Sequence, residues 1–166
     1  MEDPSSGYTY EGEWVDDRFE GEGNLVLGSG ERYEGAFVAG LFHGAGRHDM
    51  ADGTVYSGTF DQGLRDGTGM LKLPTGEVYD GSFKAGLKHG KGKCIYATGE
   101  QYVGMFKDDW RDGQGRQVSV NGDFYEGTFK KNRKDGHGML VKMSGEAFIE
   151  EWKCDVCLKS ALIRHD

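Results

Sequence analysis

An aromatic residue recurs every 23 positions along almost the whole chain. Tyr10, Tyr33, Tyr56, Tyr79, Tyr102 and Tyr125 form the series, and Phe148 continues it. Four residues after each stand Trp14, Phe37, Phe60, Phe83, Phe106, Phe129 and Trp152. A glycine lies between the two aromatics in six copies (Gly12 to Gly127), and Glu150 takes its place in the seventh. Another glycine column, Gly7 to Gly145, precedes each aromatic by three residues. A Gly-x-Gly pair follows each of the first six, from Gly21/Gly23 to Gly136/Gly138. Of the 29 glycines, 28 obey this template. A fixed period of this kind defines a repeat architecture, and 23 residues hold one supersecondary unit.

The local reading follows from the template. Seven residues after each tyrosine stand Asp17, Gly40, Gly63, Gly86, Asp109 and Asn132, residue types that tolerate a left-handed backbone. That column predicts a tight turn. The junctions between copies include Asp52-Gly53 and Asn121-Gly122, which are short-hairpin signals. Each repeat therefore predicts two turns and two short strands. Tyr-x-Gly-x-Phe places both aromatics and the glycine on one face of a strand. Gly-x-Gly leaves bare backbone across which a ring can lie.

Chained hairpins predict an all-β fold, an elongated single-layer antiparallel β-meander that gains ~10 Å per repeat from strands ~4.8 Å apart. With no second layer, one aromatic face is expected to stay partly open. The expected organisation is an N-terminal tail over 1–6, a repeat domain over 7–152 and a C-terminal segment over 153–166. The domain holds six full repeats and a degenerate seventh that supplies only a terminal strand. Cys154, Cys157/Leu158, Ala161 and Leu162 have helical spacing. They predict a short C-terminal capping helix, with a tail that orders on binding as the alternative.

The pattern Tyr-x-Gly-x-Phe/Trp followed by Gly-x-x-x-Gly-x-Gly resembles the MORN repeat (membrane occupation and recognition nexus). "YEGEW" at Tyr10–Trp14, "YEGTF" at Tyr125–Phe129 and "GLKHGKG" at Gly86–Gly92 carry the resemblance, which extends from Gly7 to Trp152. It implies a solenoid of β-hairpins. It also implies a role in organising cytoskeletal, ciliary, flagellar or membrane-associated assemblies, by binding proteins and in some cases phospholipid.

Composition and motifs narrow the chemistry. A net charge of −8 argues against nucleic acid, which needs a basic surface. Met1 to Gly7 shows no basic or apolar signal region, and no apolar run reaches the ~18 residues a membrane helix needs. Cys94, Cys154 and Cys157 are sparse and odd in number, as in a reduced cytoplasmic protein. Cys154-x-x-Cys157 lacks the second pair that structural zinc requires, and His43 and His89 lie two repeats apart. No metal or cofactor is expected. "GLKHGKGK" is the fourth copy of the repeat and lacks phosphate-loop spacing. No convergent catalytic constellation stands in the sequence, so the chain reads as non-enzymatic.

Two candidate surfaces remain. The first is a partner-binding groove lined by Tyr10, Trp14, Tyr33, Phe37, Tyr56, Phe60, Tyr79, Phe83, Tyr102, Phe106, Tyr125 and Phe129, fit for a helical or extended segment of a protein partner. Phe42, Leu64, Leu87 and Trp110 suggest a second contact ridge, or staples between adjacent turns. The second surface is basic. Lys84, Lys88, Lys91 and Lys93 form one cluster, and Lys130, Lys131, Arg133 and Lys134 another. These suit an acidic partner or acidic phospholipid, with ordinary solvated turns as the plain alternative. Residues 7–29 carry six acids and one base, a polarity that also suits self-association. The leading functional reading is a scaffold for a protein partner in a cytoskeletal, ciliary or flagellar assembly. The alternative is a phosphoinositide or membrane-surface adaptor.

Overall fold

The alternation Tyr-x-Gly-x-Phe forms strands because β-compatible aromatics share one face while polar residues face water. In the computed structural model, which describes residues 2–3 and 7–163, every repeat is a β-hairpin and the described residues contain no helix. The chain divides into two units, Met1–Gly86 and Leu87–Asp166. The first holds β1 (Glu2–Asp3), β2 (Tyr8–Val15), β3 (Arg18–Leu27), β4 (Arg32–Val38), β5 (Leu41–Asp49), β6 (Val55–Asp61), β7 (Leu64–Lys72) and β8 (Val78–Lys84). The second holds β9 (Leu87–Ile95), β10 (Gln101–Lys107), β11 (Trp110–Val118), β12 (Phe124–Lys130), β13 (Arg133–Val141), β14 (Ala147–Lys153) and β15 (Val156–Leu162). Within each unit the strands form one antiparallel layer, in the order they have along the chain.

Two turn types alternate. The hairpin turns are two-residue loops with both residues left-handed, such as Asp16 (φ 48°) with Asp17 (59°) and Lys131 (48°) with Asn132 (69°). This geometry matches the twist of the flanking strands. The junction turns close from Gly30 N to Leu27 O (2.9 Å) and from Gly122 N to Ser119 O (3.0 Å). Each hairpin turn after the first is also tied to the preceding hairpin: Gly40 N donates to Phe19 O (2.9 Å), and Asn132 N to Arg111 O (2.9 Å). Carboxylates at one repeat position reinforce the tie. Glu20 accepts from Ala39 N (2.9 Å), Asp66 from Ala85 N (3.0 Å) and Asp112 from Lys131 N (3.2 Å). Ala39 holds φ 51°, where a Cβ costs about 1 kcal/mol or more. Ala39→Gly is therefore expected to raise stability by about 1 kcal/mol, read as a higher denaturation midpoint at unchanged slope.

Within the units, a bulge sits in the middle of the hairpins β2–β3, β4–β5, β6–β7, β10–β11, β12–β13 and β14–β15. In β2–β3 the register passes from Gly12↔Gly23 to Glu13↔Glu20, and in β12–β13 from Gly127↔Gly138 to Phe129↔Lys134. The extra residues fall at the first glycine of Gly-x-Gly, which is left-handed at Gly21 (φ 66°) and Gly113 (φ 112°). A bulge bends its strand, and the bend wraps each hairpin around its own rings.

The C-terminal expectation needs correction. Lys153 to Leu162 does not form a helix or a loose tail. Cys154 (φ 50°) and Asp155 (φ 66°) form another left-handed two-residue turn, and β15 pairs antiparallel with β14. The seventh repeat is thus a whole hairpin and not a lone strand. Residues 164–166, also part of the expected C-terminal segment, lie outside the described residues. The same holds for residues 1 and 4–6 of the expected N-terminal tail, whose Glu2–Asp3 pairs with Thr9 and Tyr8.

Candidate partner-binding site

The tyrosine rings are the core of each repeat. Tyr10, Tyr33, Tyr56, Tyr79, Tyr102 and Tyr125 are at most 2% exposed. The rings of Tyr10, Tyr33, Tyr56, Tyr102 and Tyr125 each lie along their own hairpin, over one glycine of their strand and one of the facing strand. A Cβ placed on Gly23 would stand 2.5 Å from Tyr10 Oη, and one on Gly115 would stand 2.5 Å from Tyr102 Cζ. The ring thus fills the space that two missing side chains leave. The phenol reaches over the bulge to a carbonyl three residues on: Tyr33 Oη donates to Ala36 O (3.0 Å), Tyr79 Oη to Ser82 O (2.8 Å) and Tyr102 Oη to Met105 O (3.0 Å).

The Phe/Trp column links successive repeats within a unit. Tyr10 meets Phe37 at 5.3 Å, Tyr33 meets Phe60 at 5.3 Å and Tyr56 meets Phe83 at 5.1 Å, all edge to face. In the second unit Tyr102 meets Phe129 at 5.1 Å and Tyr125 meets Trp152 at 6.0 Å. Such pairs add to their burial energy through the ring quadrupole. Phe37, Phe60, Phe83, Phe106 and Phe129 are 1–4% exposed, whereas Trp14, at 44%, is open.

This corrects the expectation of an open aromatic face. The sealing residues stand nine positions after each tyrosine and also recur every 23: Phe19, Phe42, Arg65, Lys88, Arg111 and Lys134. Phe19 stacks on Tyr10 at 4.0 Å and Phe42 on Tyr33 at 3.7 Å. From the third repeat cations replace the rings. Arg65 lies over Phe83 (5.4 Å), Arg111 over Tyr102 (5.4 Å) and Phe129 (5.0 Å), and Lys134 over Tyr125 (4.3 Å) and Trp152 (4.4 Å). These are cation–π contacts. The six residues from Phe19 to Lys134 are half-buried. They, and not the tyrosines, are what an approaching molecule meets. The sequence reading missed this column because its members share a place and not a chemistry.

Phe42 accordingly belongs to the inner stack and not to a ridge. Leu64 (51% exposed), Leu87 (40%) and Trp110 (49%) are open, and Leu64 Cδ2 packs towards Gly86 of the next turn. The eight candidate cations also separate. Lys88 and Lys134 lie on the inner face, half-buried, while Lys84, Lys91, Lys93, Lys130, Lys131 and Arg133 are exposed. Lys130, Lys131 and Arg133 line an outer cleft of about 400 Å³ with Trp110, Lys153, Asp135 and Cys154.

The seventh repeat departs in its interior. Phe148 lacks a phenol, and Glu150 occupies the glycine position, 5% exposed. Its carboxylate accepts from Trp152 Nε1 (2.9 Å) and Ser160 Oγ (3.3 Å). Glu150 thus takes the place that a phenol and a bare glycine share elsewhere.

Burial pushes the phenols of Tyr33, Tyr102 and Tyr125 up to about 12, and those of Tyr10 and Tyr56 upward as well. A raised folded value favours the neutral ring. Its stabilisation is complete below pH ~10 and is lost as pH rises through about 12. Unfolding followed by circular dichroism is expected to fall in that window, together with the tyrosinate absorbance rise.

The MORN repeat family profile matches residues 10–32, 33–55, 56–78, 79–101, 102–124 and 125–146. The chain belongs to the MORN repeat family. No curated protein sequence matches it. Among solved structures it is similar to the SAS-4 (dCPAP) TCP domain of Drosophila melanogaster, solved in complex with a proline-rich motif of Ana2 (dSTIL). The identity is 12% and the TM-score 0.45, over 87% of this chain and 85% of that one.

Proposed function

We propose that this protein is a non-enzymatic scaffold that holds a segment of a partner protein along the inner face of its hairpins. One observation carries the reading: within each unit a half-buried column, Phe19, Phe42 and Arg65 in the first and Lys88, Arg111 and Lys134 in the second, recurs at one repeat position beside a sealed aromatic core. Such a face is preorganised, so little ordering cost falls on binding. Trp14, partly open beside Tyr10 (5.4 Å), adds an anchor of the kind enriched at interfaces. The buried tyrosines and phenylalanines act here as the rigid backing and not as the contact surface. A cytoplasmic setting in a cytoskeletal, ciliary or flagellar assembly accords with the family.

The test is a photo-crosslinking amino acid at Gln117 on the inner face, with Glu126 on the outer face as control, in the native cell. Recurrent capture of one partner segment from Gln117 alone is the expected result. Equal capture from both positions, or none from Gln117, would remove the reading.

A second reading, an adaptor for acidic phospholipid, draws on the outer cleft of Trp110, Lys130, Lys131, Arg133 and Lys153. It requires salt-sensitive sedimentation with acidic liposomes that Lys130→Ala and Lys131→Ala together abolish. Failure to sediment at low salt would end it.

A further inference from the structure

Three cations of the C-terminal unit share one repeat position on the inner face: Lys88 at the start of β9, Arg111 in β11 and Lys134 in β13. They stand on alternate strands, so their spacing across the sheet is ~9.6 Å. Each is half-buried. A cation in that position is partly desolvated and presses on a neighbouring anion with little screening.

Arg111 is held in place by its neighbours. Its Nη2 donates to Asn132 O (2.6 Å) and its Nη1 to Gln117 Oε1 (3.2 Å). Two of five donor hydrogens are thus engaged and the plane is fixed. Lys134 is less satisfied. Its ammonium lies 4.3 Å from the Tyr125 ring centre and 4.4 Å from that of Trp152. Among the described residues no hydrogen-bond acceptor meets it. Burial holds its pKa below the usual lysine range. The nearby Glu150 carboxylate is already taken by Trp152 and Ser160. The acids at the junction end of these hairpins already have partners: Asp123 accepts from Asn121 Nδ2 in its own turn (3.0 Å) and from Met143 N in the next (2.8 Å), and Glu146 accepts from Ser144 Oγ (3.0 Å).

Spacing selects the ligand. A polyproline-II segment has three residues per turn and advances ~3.1 Å per residue, so every third side chain returns to the same face ~9.3 Å on; a β-strand turns every third side chain to the opposite face. A helix returns a side chain to one face after seven residues, ~10.5 Å on, and drifts from the cations with each step. We propose that the C-terminal unit recognises an acidic segment of a partner protein in the polyproline-II conformation, whose carboxylates recur every third residue and seat on Lys88, Arg111 and Lys134. The inference rests on the scaffold reading and names the partner's chemistry within it.

The full chain is titrated, by fluorescence anisotropy at low salt, with labelled (Glu-Pro-Ala)4. The comparison peptides are the isomer with its four glutamates in one block, the Gln-Pro-Ala counterpart and a helical peptide with glutamates seven apart. The spaced peptide is expected to bind about tenfold tighter than each comparison peptide, the worth of one charge-assisted hydrogen bond. Lys134→Gln and Arg111→Gln are expected to remove about tenfold each, Arg111→Lys to restore most of it, and the outward Lys91→Gln to change nothing. Thermal melts of the variants check that the fold is kept. Equal binding of the blocked isomer or the helical peptide, indifference to Lys134→Gln in a folded variant, or no saturable binding of the spaced peptide would overturn the proposal. Equal binding by the Gln peptide overturns it as well, yet leaves the scaffold reading standing. In the crosslinking experiment, either no capture from Gln117 or equal capture from Gln117 and Glu126 removes both.

Discussion

Gly115→Ala is expected to destabilise the protein by about 3 kcal/mol or more, the upper range for overpacking a filled core. The added methyl would stand 2.5 Å from Tyr102 Cε2 and Cζ. Tyr102 is wholly buried, and its phenol is bound to Met105 O. It also packs against Phe106 (5.2 Å) and Phe129 (5.1 Å), so the ring cannot retreat. Gly115 is not left-handed, so the penalty is steric and not conformational. Tyr102→Leu in the Gly115→Ala background separates the two causes. Removing the ring gives the methyl room, so the double variant should be more stable than the sum of the single losses predicts. Strictly additive losses in urea denaturation would show that the ring over the glycines is not what holds the hairpin.

Phe129→Ala is expected to cost about 3–5 kcal/mol, as for other buried phenylalanines. Phe129 is 1% exposed and touches Tyr102, Tyr125 and Arg111. Its loss opens a cavity at the point where two successive repeats meet. In repeat proteins stability is mostly a sum of nearest-neighbour terms. Amide exchange should therefore rise most in β11, β12 and β13, while the protection of β2 to β4 changes least. Uniform loss of protection along the chain would contradict nearest-neighbour stabilisation.

Most of the fold was legible because its chemistry is repeated. Tyr-x-Gly-x-Phe with Gly-x-Gly permits few packings, and left-handed residues at period 23 mark the turns. Three features were harder to read. The sealing column changes from Phe to Arg and Lys, so a search by residue type passes over it, although its distance from the tyrosine never changes. The last hairpin was hidden by the helical spacing of Cys154, Cys157 and Leu162. Yet Asp155 falls 23 residues after Asn132, which marked the turn. Openness of the rings depended on bulge geometry. A flat layer would expose them, whereas hairpins bent at Gly21 and its counterparts do not.

In each unit the partners of every strand are the strands just before and after it, as in Tyr10↔Leu25 and Gly21↔Phe37. Contacts so close along the chain carry little loop-closure entropy. A hairpin can therefore settle against its predecessor while later residues are still being synthesised at the ribosome. A nascent chain halted after any junction turn would already hold its earlier tyrosines over their glycines.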